Sequence, residues 1–177
     1  MGPLRKGKEL RPHAKWGIYS KISGDRNLPT DERRRWLNDQ ASWLWNESDI
    51  ITRSIYPIWL EGEPNWPRVR DLMFDKVGEA VRLANNARLQ TGKRPMVFSY
   101  LSSRVAPGPS QFVGEWLTSK QIENQLQHSL LGGADGAIFW ENARDNAPPN
   151  PTEEEYIEFL NTAVKSALVK LKLGAWK

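Results

Sequence analysis

Four short apolar segments of the chain each end in an aromatic residue of a type suited to ligand binding. These residues are Tyr19, Tyr56, Tyr100 and Trp140, and a carboxylate, Glu141, directly follows the last of them. Tyrosine supplies an O–H group for hydrogen bonding, and tryptophan supplies a large flat wall. Packing alone does not require such a residue at the same place four times. The pattern therefore predicts a ligand cleft lined by these rings, and the alternative is that they cap the core.

The segments that would position these residues alternate between strand and helix patterns. Strand-like apolar runs occur at residues 16–20, 50–60 (centred on 54–59), 96–101 and 134–140. Apolar positions at helical spacing occur at residues 36–48, 68–90, 118–131 and 152–172. Capping boxes are expected where the last two helices begin, Thr118 with Gln121 and Thr152 with Glu155.

This alternation predicts the fold class. Strands that alternate with helices form right-handed βαβ units and a parallel sheet. The expected fold is α/β, a partial TIM-like (β/α) barrel of about four parallel strands, with its chemistry at the carboxyl ends of the strands. The run 96–101 predicts a strand buried on both faces. Residues 1–14 are basic and predict a loosely held lead-in, and residues 15–177 predict the barrel domain.

Composition narrows the kinds of chemistry and the kinds of partner. The 177 residues include no cysteine, which excludes disulfides and thiolate sites. His13 and His128 lack carboxylates at ligand spacing, so neither a metal nor another cofactor is expected. The net charge of +4 favours polyanionic partners. The run Arg33-Arg34-Arg35 is either a solvated face or a contact for carboxylates of such a partner.

Four sequence blocks carry a resemblance to a known family. They are Leu10-Arg11-Pro12 with Trp16-Gly17-Ile18-Tyr19, Asn38-Asp39-Gln40 with Trp43-Leu44-Trp45 and Ser48, Ser54-Ile55-Tyr56, and the run from Gly133 to Trp140. In order and spacing they resemble the hyaluronidases, the animal and bee-venom type. The resemblance covers nearly the whole chain and corresponds to the C-terminal half of that family's catalytic barrel, so residues 15–177 are expected to form a hyaluronidase-like half-barrel domain.

The resemblance implies a substrate-assisted, retaining glycosidase that cleaves β-1,4 N-acetylhexosaminide bonds in hyaluronan or chondroitin. In that mechanism the acetamido carbonyl of the sugar attacks its own anomeric carbon, and a glutamate protonates the leaving oxygen. Tyr56 matches the tyrosine that hydrogen-bonds the acetamido group. Tyr19 matches a tyrosine beside the reacting sugar, and Trp140 matches the wall of the acetamido pocket. The family resemblance also implies a secreted or lysosomal protein.

One departure from the family pattern decides what we expect of this chain. The Asp-x-Glu acid pair of the family is absent, so the isolated chain is expected to be inactive. Glu141 is the one acidic residue placed by sequence to act as a substitute acid. The alternative function is a non-catalytic glycan-binding or interaction protein that keeps the aromatic cleft.

The expected partner is a glycosaminoglycan, with neither nucleic acid nor membrane involved. A half-barrel also leaves two strand edges unpaired. We therefore expect a homodimer, or a partner half-barrel, to close the sheet.

Overall fold

The computed structural model describes residues 2–19, 22, 30–140 and 152–171. At its centre lies one four-stranded sheet in the order β1-β2-β3-β4. The strands are β1 (Gly17–Ile18), β2 (Ile50–Ser54), β3 (Met96–Leu101) and β4 (Gly136–Phe139). Every neighbouring pair is parallel. The predicted α/β partial barrel is confirmed in this arrangement.

Helices precede or follow each strand. They are α1 (Pro3–Leu10), α2 (Glu32–Gln40), α3 (Ser42–Glu47), α4 (Trp66–Thr91), α5 (Ser119–Leu131), α6 (Glu153–Phe159) and α7 (Lys165–Lys170), with a π-helical segment, Leu160–Val164, between the last two. Both predicted capping boxes are present, at the starts of α5 and α6. In the described part of the chain, no helix combines the length and apolar character needed to cross a membrane.

Helix α4 is the main support of the sheet. Its apolar positions recur every three or four residues, so a continuous stripe faces the strands. Val77, Ala80 and Ala84 on this stripe are fully buried. Gly92, the residue directly after the helix, has a φ of 76°, a left-handed conformation that glycine adopts without steric cost.

The two faces of the sheet differ in how they are covered. On β3, Val97 and Leu101 are fully buried in the core beneath the helices, and Ser99 hydrogen-bonds Ser129 of α5. The alternate residues of β3 are only half-buried. The expectation that this strand is buried on both faces was therefore wrong. The half-covered inner face is the one on which the strand-end aromatic residues lie.

Two aspartates, one of them buried, join the amino ends of the strands. Asp49, immediately before β2, accepts a 3.1 Å hydrogen bond from the backbone N–H of Trp16. Asp135, immediately before β4, accepts a 2.7 Å hydrogen bond from the backbone N–H of Val97 and a 2.7 Å bond from Arg94. These carboxylates link neighbouring strands, so they stabilise the sheet at the amino ends of its strands.

The structure also corrects three local expectations. The lead-in expected over residues 1–14 to be loosely held contains α1, whose Leu4 is 5% exposed and whose Gly7 packs against the ring of Trp16. The helix expected over 36–48 is two helices that meet at Ala41. The strand expected over 50–60 and centred on 54–59 covers only Ile50–Ser54, because the chain turns away from the ladder beyond the bond from Ile55 N–H to Tyr100.

Candidate functional site

The carboxyl ends of the four strands bring the aromatic residues together. Tyr19 directly follows β1, Tyr56 lies two residues after β2, Tyr100 is the penultimate residue of β3, and Trp140 directly follows β4. The parallel register aligns Tyr100 with Ser54 on one side and with Ile138 on the other. We call Tyr19, Tyr56, Tyr100 and Trp140 the aromatic cluster.

Edge-to-face contacts hold three rings of the cluster. The ring centroids of Tyr19 and Tyr100 are 5.0 Å apart with an interplanar angle of 84°. Those of Tyr100 and Trp140 are 6.4 Å apart at 85°. Such contacts are the geometry that aromatic quadrupoles favour. Because Tyr19 is 51% exposed and Trp140 54% exposed, the two outer rings present open faces to a ligand.

The hydroxyl of Tyr56 is the unusual atom of the site. It is buried, and it has no hydrogen-bond partner among the residues that the structure describes. Burial raises the pKa of this phenol well above its ordinary value, and the neighbouring Tyr19 phenol raises it further. Tyr56 is therefore a protonated donor at neutral pH. Buried donors without a partner are rare in folded proteins, and a missing ligand is one of their physical causes.

Tyr19 is fixed by a residue that the sequence analysis did not single out. Its hydroxyl shares a 2.8 Å hydrogen bond with Ser54 Oγ at the end of β2. No local pattern in the sequence indicates this contact, because Tyr56 lies beyond the end of β2 and strand alternation does not reach it. In the structure the Ser54 hydroxyl lies close enough to the Tyr56 phenol to lower its pKa.

Two loops form the neighbouring wall at this end of the sheet. The loop after β2 is joined to the loop after β3 by a 2.8 Å bond from Ser110 to Glu63 and a 2.8 Å bond from Ala106 N–H to Pro57. Thr118 donates a 3.1 Å bond to Glu61. These bonds hold the wall in one position and occupy oxygens of both glutamates.

Other candidate residues lie apart from the cluster. Glu141 falls outside the described residues. On α2, Arg34 pairs with Asp31 at 3.3 Å and Arg35 pairs with Glu79 at 3.8 Å, so two of the three consecutive arginines bind carboxylates of the chain itself. Within the described ranges, histidine and acidic side chains form no group of three or more able to hold a metal ion.

Comparison with known proteins places this geometry in a family. The family model for hyaluronidase matches residues 1–175. The chain belongs to the hyaluronidase family. This assignment also agrees with the four motif blocks, which include Tyr19, Tyr56 and Trp140.

Individual relatives support the assignment and define its extent. Hyaluronidase B of Vespa velutina is 30% identical over 148 residues, which are 80% of this chain and 41% of that protein. Inactive hyaluronidase B of Vespula vulgaris is 28% identical over 143 residues, 77% of this chain and 39% of that protein. The crystal structure of bee venom hyaluronidase in complex with a hyaluronic acid tetramer is similar with a TM-score of 0.74 and 25% identity, covering 96% of this chain and 51% of that one. The chain thus spans about half, or less, of the length of these relatives.

Proposed function

We propose that this chain supplies the sugar-binding part of a hyaluronidase-type glycosidase site, with hyaluronan or chondroitin as its ligand. The observation that carries the proposal is the buried, unpartnered hydroxyl of Tyr56 within the aromatic cluster. The bee venom relative crystallised with a hyaluronic acid tetramer supports the choice of ligand. Hydrolysis is then a property of a complete site, to which this chain contributes binding and orientation.

Tyr56 has the chemistry to orient the acetamido group of the sugar. Its phenol is a protonated donor, and an acetamido carbonyl oxygen is the acceptor that would satisfy it. In the reaction, this carbonyl oxygen bonds to the anomeric carbon as the glycosidic C–O bond breaks, and the leaving oxygen takes a proton from an acid. A carbonyl held in line with the anomeric carbon gains rate from orientation, because the reacting atoms are already placed.

The remaining rings supply a shaped wall. Trp140 and Tyr19 present faces on either side of Tyr100, so a sugar ring and its acetamido methyl group have apolar surface on which to lie. Aromatic faces and sugar C–H surfaces exclude water from each other, which strengthens the hydrogen bond to Tyr56. The cluster therefore offers both an oriented donor and the dry surroundings in which that donor is effective.

We also propose that the isolated chain does not hydrolyse its ligand. Glu61 and Glu63, in the loop that follows Tyr56, accept hydrogen bonds from Thr118 and Ser110. Glu141 is the remaining candidate proton donor. Reducing-sugar release from hyaluronan at acidic and neutral pH measures this directly, and we expect none. Release that Glu141→Gln abolishes would contradict the proposal and identify Glu141 as the acid.

Binding tests the central claim. We expect a hyaluronan hexasaccharide to bind the chain in isothermal titration calorimetry, and Tyr56→Phe to weaken binding about threefold to tenfold, the effect of one hydrogen bond. Tyr156→Phe is the matched control, since Tyr156 lies on α6 and stacks on Phe159 outside the aromatic cluster. Equal affinities of the wild type and Tyr56→Phe would refute the role of Tyr56.

A non-catalytic glycan-binding protein is the second candidate function. The observation that favours it is that the glutamates beside the cluster hydrogen-bond other residues while the aromatic surface remains open. The two functions differ when a separately produced N-terminal half of a hyaluronidase is added. Restored hydrolysis would favour an enzyme part, and unchanged binding without hydrolysis would favour the binding protein.

The open sheet leads us to propose that a partner half-barrel or a second copy of the chain covers its edges. Within the described ranges, β1 and β4 each pair with a strand on one side only. A two-fold axis along the barrel would place β4 of one copy beside β1 of the other and give about eight parallel strands, the number whose inward side chains fill a barrel. The molar mass from light scattering shows whether two copies of the chain associate. A monomeric mass would exclude the homodimer and leave the partner half-barrel as the proposal.

A further inference from the structure

Ser54 is the polar residue that joins the ends of β1 and β2 at the mouth of the site. It is half-buried, and its side chain lies on the inner face in register with Tyr100. The 2.8 Å bond between Ser54 Oγ and the Tyr19 hydroxyl connects residues 35 positions apart in the chain. It therefore fixes the position of a phenol that is otherwise exposed on the cleft.

Ring packing alone does not determine where the Tyr19 hydroxyl points. The edge-to-face contact with Tyr100 holds the plane of the Tyr19 ring, but the O–H bond rotates about the C–O axis without disturbing that contact. The bond to Ser54 removes this freedom. A serine hydroxyl has one proton and two lone pairs. The hydrogen bond with Tyr19 uses one of these, so Ser54 has fewer positions left for a hydrogen bond with Tyr56.

The bond between Ser54 and Tyr19 affects the hydroxyl of Tyr56. Its hydroxyl is close enough to Ser54 and Tyr19 for both to influence its pKa, yet it makes no hydrogen bond of acceptable geometry with a described residue. With Ser54 and Tyr19 bonded to each other, the Tyr56 donor is left for a ligand. Without Ser54, the Tyr19 hydroxyl would be free to turn and accept this proton itself.

We propose that Ser54 is a positioning residue, which binds Tyr19 and thereby keeps the Tyr56 donor available to the acetamido carbonyl of the sugar. This inference rests on the proposed function, because it concerns how the same site recognises the same ligand. Ser54 acts through the two tyrosines, and its hydroxyl is the group that matters.

The test measures binding of a hyaluronan hexasaccharide by calorimetry in Ser54→Ala and Ser54→Thr. We expect Ser54→Ala to weaken binding about threefold to tenfold, the effect of one misdirected hydrogen bond, and Ser54→Thr to restore it to within about twofold because the hydroxyl is retained. Ser129→Ala is the matched control. It removes another 2.8 Å hydroxyl–hydroxyl bond, to Ser99, on the opposite face of the sheet, and its affinity should equal that of the wild type.

A double-mutant cycle with Tyr19→Phe separates positioning from a general structural effect. If Ser54 acts through the Tyr19 hydroxyl, Ser54→Ala has no further effect on affinity once that hydroxyl is removed. Additive effects in the cycle, or equal affinities of Ser54→Ala and the wild type, would overturn the inference while leaving the proposed function intact. A wild-type chain that binds no hexasaccharide would overturn both.

Discussion

Asp49 provides the sharpest test of how the sheet is stabilised. Its carboxylate, at the amino end of β2, is 7% exposed. It binds the Lys93 ammonium, the backbone N–H of Trp16 at 3.1 Å and the Lys8 ammonium at 3.2 Å. Burial by itself would raise the pKa of Asp49, but these three donors together lower it from 3.8 to about 2.

The direction and size of this shift fix the expected pH dependence. A carboxylate with a depressed pKa in the folded state stabilises the fold fully above its unfolded pKa near 4, and loses that contribution as the pH falls towards 2. Each pKa unit corresponds to about 1.4 kcal/mol, so the ionised form contributes about 2 kcal/mol to the free energy of unfolding. We expect Asp49→Asn to be less stable than the wild type by about this amount at pH 6, and the difference to close by pH 2.

Urea unfolding, followed by tryptophan fluorescence at several pH values between 6 and 2, measures the difference. Asp71→Asn is the control, because the Asp71 side chain on α4 is 72% exposed and its substitution should change stability little at any pH. A stability difference between wild type and Asp49→Asn that stays constant from pH 6 to pH 2 would refute the reasoning. It would mean that Asp49 contributes through shape and not through its charge.

Four further predictions concern packing and binding. Gly136→Ala would place a Cβ atom 2.5 Å from Cε1 of Phe98, so thermal unfolding should show a loss of about 1–3 kcal/mol. Gly78→Ala, which meets nothing within 4 Å on α4, should instead stabilise by about 0.5–1 kcal/mol. Asn38→Ala should cost about 1–3 kcal/mol in urea unfolding, since it removes the 2.8 Å bond to buried Glu79. Trp140→Leu should weaken hexasaccharide binding in calorimetry about tenfold without lowering the melting temperature.

The elements that the sequence predicted well are those whose signals are local. The apolar positions of α4 recur at helical spacing over more than six turns, and a chance pattern would not extend so far. The strand Met96–Leu101 was predicted with its observed bounds because an arginine and a proline precede it and a polar loop follows it. Thr118 and Thr152 cap their helices through bonds to residues three positions away. Such patterns depend on neighbouring residues and can be read without the tertiary structure.

The errors fall where distant contacts decide the conformation. The basic segment 1–14 forms α1 because Gly7 allows the Trp16 ring to lie against it, and Lys8 then reaches Asp49. No local sequence pattern indicates these contacts. The break at Ala41 likewise follows from burial of Trp45, whose indole N–H donates a 2.9 Å bond to the Asn38 carbonyl. A periodic pattern alone does not distinguish one bent helix from two.

The same division explains what was predicted of the site. Parallel strands bring their carboxyl ends to one edge, so the meeting of Tyr19, Tyr100 and Trp140 followed from the fold class. The burial of the Tyr56 hydroxyl depends on tertiary structure, and so does the bond from Tyr19 to Ser54. Both are properties of positions far apart in the chain. Residue types indicated the cleft, whereas the state of each hydroxyl required coordinates.

The two ends of the sheet differ in whether their polar groups have hydrogen-bond partners. At the amino ends, the carboxylates of Asp49 and Asp135 are bonded to backbone N–H groups and cationic side chains. At the carboxyl ends, Tyr56 keeps a buried donor without a partner, and Trp140 keeps an open face. An unpartnered buried donor lowers stability, and a fold tolerates it when other contacts stabilise it sufficiently. The satisfied charges at one end of the sheet thus allow the other end to hold a donor ready for a ligand.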